Sequence, residues 1–561
     1  MVGKFLSAVG LETKGLHTAA YLVAVLALFS QLLGMLRDRL LAASFGAGHI
    51  LDIYYAAFRI PDFLFATIAS LLSIYAVMPI LSELEEEREG LMLSFMRQIL
   101  FLFFVSMAAI SGIIFFFVPE IVRLTAPGLV SNPASAAQIV LLVRILLLQP
   151  ILLGLSNVLS NLTQLRHRFL LYSISPLLYN LGIIFGVVAL YPFLGVAGLG
   201  LGVVLGALLH MLIQVPFFFA EGTPEPMPLR RAVRHFMQVI ALSLPRTFAL
   251  ASTQVSLLAL TAIASLLASG SIAIFSFAYN LQAVPFTIIG VSYSVAAFPT
   301  LARLYAKSDH VAFSRYIESA TRHILFWSIP ATVFIIVLRA QLVRVILGAG
   351  IFDWTATRLT AAALALFVLS LVAQNVIYLM NRAYYAMGNT LKPVYWGVID
   401  IVVSIASSLL LVVLFNESSF FRLFVESLLR VQDLPGTTIL MLAFGYALGS
   451  ICECAVGLLF FFRDFSMPLG SLRRLTFESF AASVIGASVS YGVLSLLGGT
   501  VNLTKTLGVF IDGLIAGIAG LIVTTGLLYL FKNQELREVF ESFHRRLRSR
   551  PPALEPSDIA S

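Results

Sequence analysis

Charge is what this chain has least of. Only 11% of its 561 residues are Asp, Glu, Lys or Arg, against 59% hydrophobic. That leaves too few polar side chains to coat a water-soluble globule of this size. Cysteine is scarcer still. Cys452 and Cys454 are the only two and flank Glu453 in one apolar run. On a helix they cannot face each other at that spacing, and four-ligand metal chemistry is absent. The eight histidines include no His-x-x-x-His pair, no Gly-x-x-x-x-Gly-Lys loop occurs, and no two aspartates are adjacent or alternate. Metallohydrolase, phosphate-loop and polytopic glycosyl-transfer chemistry therefore lack their residues, and no enzyme and no cofactor are expected.

Long apolar runs are abundant instead, and the mean hydropathy is +0.96. A helix of about 20 apolar residues crosses the hydrocarbon core, and about fourteen such runs can be drawn, from 17–44 and 52–82 through 233–266 to 506–531. An all-α polytopic membrane protein follows. The first run begins well inside the chain and has no small-residue cleavage site followed by a soluble domain, so it reads as a retained helix rather than a signal peptide. Arg230, Arg231 and Arg234, then Arg303, Lys307 and Arg315, then Arg473 and Arg474 fall in alternate connectors, whereas those near 191–195 and 267–271 carry no Lys or Arg. The positive-inside rule then places those basic connectors and both termini in the cytoplasm. The tail "RRLRSRPP" (545–552) agrees, and with no basic-aromatic module beside it the expected contact is anionic lipid, not nucleic acid.

The chain also repeats itself. "VRLTAPGLV" (122–130) matches "VRVILGAGIF" (343–352), "QLRHRFLLYSISP" (164–176) matches "MNRAYYAMGNTLKP" (380–393), and "YYAAFRIP" (54–61) matches "FAYNLQAVP" (277–285). From Val122 to Val343 is 221 residues, from Pro176 to Pro393 is 217, and from Pro61 to Pro285 is 224. A period holding six helices returns the chain to the same side, so the two copies are parallel, an arrangement that holds substrate between halves in transporters. The expected division is 1–220 and 221–463 for the two six-helix repeats, 464–531 for two additional helices and 532–561 for a basic tail. "NESSFFRLFVESLLRVQDLPG" (416–436) has apolar residues at helical spacing and is expected to lie on the membrane surface.

Few charges interrupt the apolar runs, which makes each a functional candidate. In "GMLRDRLLAASFGAG" (34–48) Arg37, Asp38 and Arg39 arrive together. Ser30, Gly34 and Arg37 share one helical stripe, and Asp52, Tyr55 and Arg59 share another ahead of Pro61, expected to kink its helix. An arginine fork can hold two phosphate oxygens at once and keeps its charge. Arg37 can equally snorkel to headgroups or pair with Asp38 or Asp52, and Asp52 can be a helix N-terminal acid. Arg144 and Arg246 are further basic groups in apolar runs, while Arg39 points away from Arg37 and reads as an interface anchor. Asp400 and Glu453 are single acids in sequential runs, either a cation-coupling pair or buried acids bonded to neighbouring hydroxyls. "ELEEEREG" (83–90) reads as a solvated connector without chemistry.

These residues carry a resemblance. "SQLLGMLRDRLLAASFGAGHILDIYYAAFRIPDF" (30–63), "APGLVSNPASAAQIVLLVRILL" (126–147), "LGAGIFDWTATRLTAAALALFVLS" (347–370) and "NRAYYAMGNTLKPV" (381–394) resemble the MurJ/MviN flippases of lipid-linked oligosaccharides, in the multidrug/oligosaccharidyl-lipid/polysaccharide exporter superfamily. The resemblance implies fourteen helices in a MATE-like arrangement of six, six and two. It also implies movement of an undecaprenyl-pyrophosphate-linked sugar, typically peptidoglycan lipid II, from the inner to the outer leaflet of a bacterial cytoplasmic membrane. The Arg-Asp pair of the family is retained as Arg37 and Asp38, and its helix-2 acid as Asp52. Arginines usual elsewhere are replaced by Gln31, by Phe65 and Ala66, and by Asn280, with Ala283 where an acid is usual. The expected substrate-binding set is Arg37, Asp38, Asp52, Arg59, Arg246 and Asn280, with Asp400 and Glu453 for ion coupling. Dependence on a sodium or proton gradient or on membrane potential is left open, as is contact with cell-wall synthesis machinery. A cation-coupled drug exporter and a transport-inactive envelope scaffold are the alternatives; an acid-dominated cavity would mark the first and a filled central cleft the second.

Overall fold

The computed structural model describes residues 16–548 apart from 69–70, 72–73, 167, 221–222, 466–468 and 498–505. Among the described residues there are helices and no strands, as a chain that must satisfy its backbone inside lipid requires. The principal helices begin with α1 (Leu16–Phe45), α2 (His49–Thr67), α3 (Ile74–Glu87), α4 (Glu89–Thr125), α5 (Pro133–Leu146), α6 (Leu148–Leu165), α7 (Phe169–Phe185), α8 (Val196–Leu212), α9 (Leu229–Ser265) and α10 (Ser271–Phe286). They continue with α11 (Ser292–Ala306), α12 (His310–Leu347), α13 (Trp354–Val368), α14 (Leu371–Ala386), α15 (Leu391–Glu417), α16 (Ser419–Leu429), α17 (Ile439–Asp464), α18 (Leu469–Leu497), α19 (Thr506–Leu530) and α20 (Gln534–Arg548).

Among the described residues ten helices are long and apolar enough to cross a membrane, or eleven if α13 and α14, bent by 45°, form one span. The protein is a multi-pass membrane protein. Three of the runs drawn from sequence account for the difference from about fourteen. The run 17–44 is helical as α1, 52–82 divides between α2 and α3, and 233–266 lies in α9, whose end Ala251–Ser265 is a shorter apolar helix. Pro61 sits inside α2, which continues to Thr67.

The chain divides into two compact units, one of residues 1–284, 346–367 and 389–453, the other of 285–345, 368–388 and 454–561. Helix contacts in the first unit rest on small residues. A Cβ on Gly202 of α8 would lie 2.3 Å from Gly186 Cα, and one on Gly182 of α7 would lie 2.2 Å from Gly206 Cα. Spacing by four puts Gly198, Gly202 and Gly206 on one face, so the α7 and α8 backbones touch where lipid supplies no hydrophobic drive for association. The opposite faces stay apolar and open, as with Phe101, Ile113 and Phe116 on α4. Helix α2 packs against α5, α6 and α9, and α1 against α7, which brings the charged stretches of α1 and α2 into the interior of this unit.

The stretch 83–90 comprises the end of α3 and the start of α4, is largely exposed, as expected of a solvated segment, and carries ion pairs. Glu85 pairs with Arg166 at 2.9 Å, Glu87 with Arg231 at 2.5 Å and Arg88 with Glu225 at 3.3 Å. Glu85 and Glu87 meet basic groups supplied by two later segments, which no local pattern announces. The segment 416–436 does contain a helix. Ser418 caps α16 through the Phe421 N–H, and Arg430, at φ 61°, ends it. Phe420, Leu423, Phe424 and Leu428 lie exposed along it.

In the second unit α18 packs on α19 by the same means, Gly486 and Gly520 facing each other's carbonyl oxygens and the Ser490 hydroxyl donating to the Ala516 carbonyl at 2.7 Å. An apolar recess of about 620 Å³ lies beside them, walled by Phe326, Phe334, Leu521 and Leu528 and by Leu536 and Val539 of α20. Arg322 anchors that last helix through the buried Glu535 at 2.5 Å.

Candidate functional site

The interior of the first unit contains a cavity of about 240 Å³ lined by residues of α1, α2, α7 and α10. Helical periodicity arranges its walls. On α2, Tyr55, Arg59 and Asp62 succeed one another at steps of four and three, and Tyr54 and Phe58 follow at a step of four, so one broad face of α2 carries them all. Arg37 comes from α1, Tyr179 and Ile183 from α7, and Ser276 and Asn280 from α10.

Arg37 is held by two partners. Its Nε donates to Asp38 Oδ1 at 2.9 Å, its Nη2 lies 2.8 Å from the same oxygen, and its Nη1 donates to Asn180 Oδ1 at 3.1 Å. The other Asp38 oxygen accepts from Asn280 Nδ2 at 3.2 Å, and Asn180 Nδ2 donates to the Pro176 carbonyl at 3.1 Å. A chain Asn280–Asp38–Arg37–Asn180 thus aims the guanidinium into the cavity and balances its charge. Three charges interrupt the first apolar run because they face protein. Arg39 is not part of the cavity wall, and its Nη1 donates to the Ile346 carbonyl at 3.3 Å.

Arg59 is held differently. Its Nε donates to Thr261 Oγ1 at 3.0 Å and its Nη2 to Ser276 Oγ at 3.4 Å, and it makes no salt bridge among the described residues. Thr261 can accept because its own proton goes to the Leu257 carbonyl at 2.7 Å. One turn on, Asp62 Oδ1 accepts from Gln149 Nε2 at 3.4 Å.

The structure brings Arg37, Asp38, Arg59 and Asn280 together and leaves other expected members elsewhere. Asp52, 3% exposed, sends its carboxylate to the start of α10, accepting the Gly270 N–H at 2.5 Å and the Ala273 N–H at 2.9 Å. The side chain of Arg246 lies outside the described residues. Arg144 donates to the Phe115 carbonyl at 3.3 Å and stacks over the Phe115 ring, away from the cavity. Phe65, which stands where an arginine is usual, packs against the apolar core with Ile68.

Buried Asp400 and half-buried Glu453 form a second group. Ser256 Oγ of α9 donates to Asp400 Oδ2 at 3.1 Å and Ser404 Oγ to Asp400 Oδ1 at 3.3 Å. Ser450 donates as well, and Glu453 is near enough for the two carboxylates to repel. Helices α15 and α17 meet there because Gly449 leaves room for Ser404; a Cβ on Gly449 would clash with the serine oxygen. Among the described residues no cluster of three or more His, Cys, Asp and Glu side chains is placed to hold a metal ion.

Asp62, Tyr54, Phe58, Tyr179 and Asn180 belong to the site although sequence reasoning did not select them. Asp62 was within reach, since it continues the Tyr55–Arg59 stripe. Tyr179 and Asn180 carry no such signal, because only packing of α7 on α1 brings them in.

Comparison with known proteins follows the same lines. A family model described as "Lipid II flippase MurJ" matches residues 41–510. The probable lipid II flippase MurJ of Buchnera aphidicola is 27% identical over 369 residues, 65% of this chain and 72% of the relative. The lipid II flippase MurJ of Burkholderia cenocepacia is 26% identical over 415 residues, 72% of this chain and 80% of the relative. Among solved structures, a lipid II flippase MurJ in an inward closed conformation superposes with a TM-score of 0.70 at 21% identity, covering 91% of this chain and all 100% of the other. An inward-facing multidrug-resistance MATE transporter superposes with a TM-score of 0.63 at 14% identity, covering 78% and 94%. The fold is therefore MATE-like, the relatives are transporters rather than enzymes, and this chain belongs to the MurJ lipid II flippase family.

Proposed function

We infer that this protein flips an undecaprenyl-pyrophosphate-linked sugar precursor, with peptidoglycan lipid II as the first substrate to test, from the inner to the outer leaflet of a bacterial cytoplasmic membrane. The observation that carries the reading is that Arg37 and Arg59 line one cavity among apolar helices. Guanidinium groups at membrane depth are costly to keep, and a diphosphate bridge passing through needs charged partners. Alternating access would come from the repeats 1–220 and 221–463 rocking about a midplane site, with both termini cytoplasmic as the basic connectors indicate. Asp38 and Asn280 would orient Arg37, and Asp52 would hold the start of α10 against α2. Arg246 remains a proposed contact on sequence grounds alone.

Asp400 and Glu453 favour a cation-coupled cycle, since an acid surrounded by three serine hydroxyls with a second acid beside it offers oxygen ligands to a proton or sodium ion. That feature also suits a cation-coupled exporter of amphipathic drugs, the second reading. Vesicles containing the purified protein and fluorescent lipid II decide between them. The flippase should speed exposure of the label to a membrane-impermeant quencher, with dependence on a sodium or proton gradient. A rate equal to that of protein-free vesicles, together with gradient-driven drug uptake, would favour the exporter.

A further inference from the structure

The cavity keeps a carboxylate that a site for an anion alone would be better without. Asp62 stands one turn beyond Arg59 on the same face of α2 and lines the same cavity. A negative charge there repels phosphate, yet Asp62 is not consumed by a salt bridge. Its one hydrogen bond is a long one, 3.4 Å from Gln149 Nε2, and Gln149 Oε1 is itself buried without a partner. Tyr55, one turn before Arg59, has a buried hydroxyl with no hydrogen-bond partner. The rings of Tyr54, Phe58 and Tyr179 complete the wall.

These groups match a glycosyl phosphate. A guanidinium takes the phosphate, a carboxylate accepts from sugar hydroxyls, a phenol bonds to a ring or hydroxyl oxygen, and aromatic faces pack on the C–H face of a pyranose. We propose that Asp62 reads the sugar: it accepts hydrogen bonds from hydroxyls of the residue attached to the phosphate that Arg59 holds, and so decides whether a lipid phosphate carrying a sugar is preferred to one without. Tyr55 assists from the other side of Arg59. The proposal rests on the flippase reading and adds to it a specificity-determining residue.

The test compares two lipids of equal charge, a methyl-capped polyprenyl pyrophosphate and the same lipid carrying a disaccharide, bound to the full-length protein in nanodiscs. Wild type should prefer the sugar-bearing lipid. In Asp62→Asn that preference should fall about ten- to hundredfold, the range expected for losing hydrogen bonds to a charged group, while affinity for the capped lipid rises because repulsion is relieved. Tyr55→Phe should lower the preference in the same direction by less. Arg59→Ala should weaken both lipids and keep their ratio. If Asp62→Asn strengthens both lipids equally, Asp62 only balances the charge of Arg59 and the proposal fails. If Arg59→Ala changes neither affinity, the phosphate is not held in this cavity, and the flippase reading of the cavity fails with it.

Discussion

Asp52 and Gly270 are 218 residues apart, and the carboxylate of the first accepts the backbone N–H of the second at 2.5 Å. With Ala273 as a further donor, an acid on α2 caps the start of α10. Gly270, at φ 89°, turns the chain there, and a Cβ on it would lie 2.2 Å from the Ala47 carbonyl oxygen, so the turn is pressed against the start of α2. Loss of a capping acceptor costs about 0.5–2 kcal/mol. Asp52→Ala should lower the thermal unfolding midpoint in detergent, and Asp52→Asn should lower it less because one acceptor oxygen remains. Melting followed by tryptophan fluorescence reads both; equal midpoints in Asp52→Ala and wild type would remove the cap from the account.

The cavity arginines should separate from their neighbour. Arg37→Ala should abolish translocation in the vesicle assay, and Arg37→Lys should recover part of it, because a point charge replaces a bidentate fork. A lost charge-assisted hydrogen bond weakens binding by about ten- to hundredfold, and Arg59→Ala should show a loss of this size. Arg39→Ala, which removes a contact to the Ile346 carbonyl outside the cavity, should retain most activity. A larger defect at Arg39 than at Arg37 would make the cluster a membrane anchor.

Asp400 and Glu453 should report on energy coupling. Asp400→Asn keeps the shape of the side chain and removes its charge, so flipping should lose its response to a sodium or proton gradient while substrate binding persists. Unchanged gradient dependence in both Asp400→Asn and Glu453→Gln would assign the pair to packing.

The glycine contact between α7 and α8 allows a contrast within one residue type. Gly202→Ala places a methyl group 2.3 Å from Gly186 Cα, and overpacking of this kind costs about 1–3 kcal/mol. At Gly112 on α4 a Cβ meets nothing within 4 Å, so Gly112→Ala should be neutral or stabilising by up to about 1 kcal/mol. Thermal midpoints of the two variants should therefore move apart.

The connector 83–90 should confer a mild acid sensitivity. The hydrogen bond from Arg231 holds the Glu87 carboxyl below its usual value, so the contribution of this pair is complete above the unfolded pKa of about 4.3 and disappears as pH falls through the lower folded value. Wild type should lose more of its melting temperature between pH 6 and pH 3 than Glu87→Gln does. Parallel curves would show that this exposed pair contributes nothing measurable.

Much of this protein is local and therefore legible along the chain. The apolar runs dictate a polytopic helical membrane protein, because lipid leaves a backbone few other ways to satisfy itself. The α2 stripe of Tyr55 and Arg59 follows from 3.6 residues per turn, and the clustered charges at Arg37 and Asp38 stand out because an apolar run has little reason to keep them. The internal match between halves was legible for the same reason, being a comparison of the chain with itself. What packing alone decides are the partners. Asp52 is an acid near a helix start in sequence, but its carboxylate serves α10, and nothing local to either residue says so. The acids of 83–90 are exposed as their sequence suggests, but their partners Arg166 and Arg231 come from later segments. Asn180 joins Arg37 only because α7 packs on α1, where Gly34 leaves Asn180 room. Which side chains share a cavity depends on distances across helices, and those are set by close packing of residues far apart in the chain.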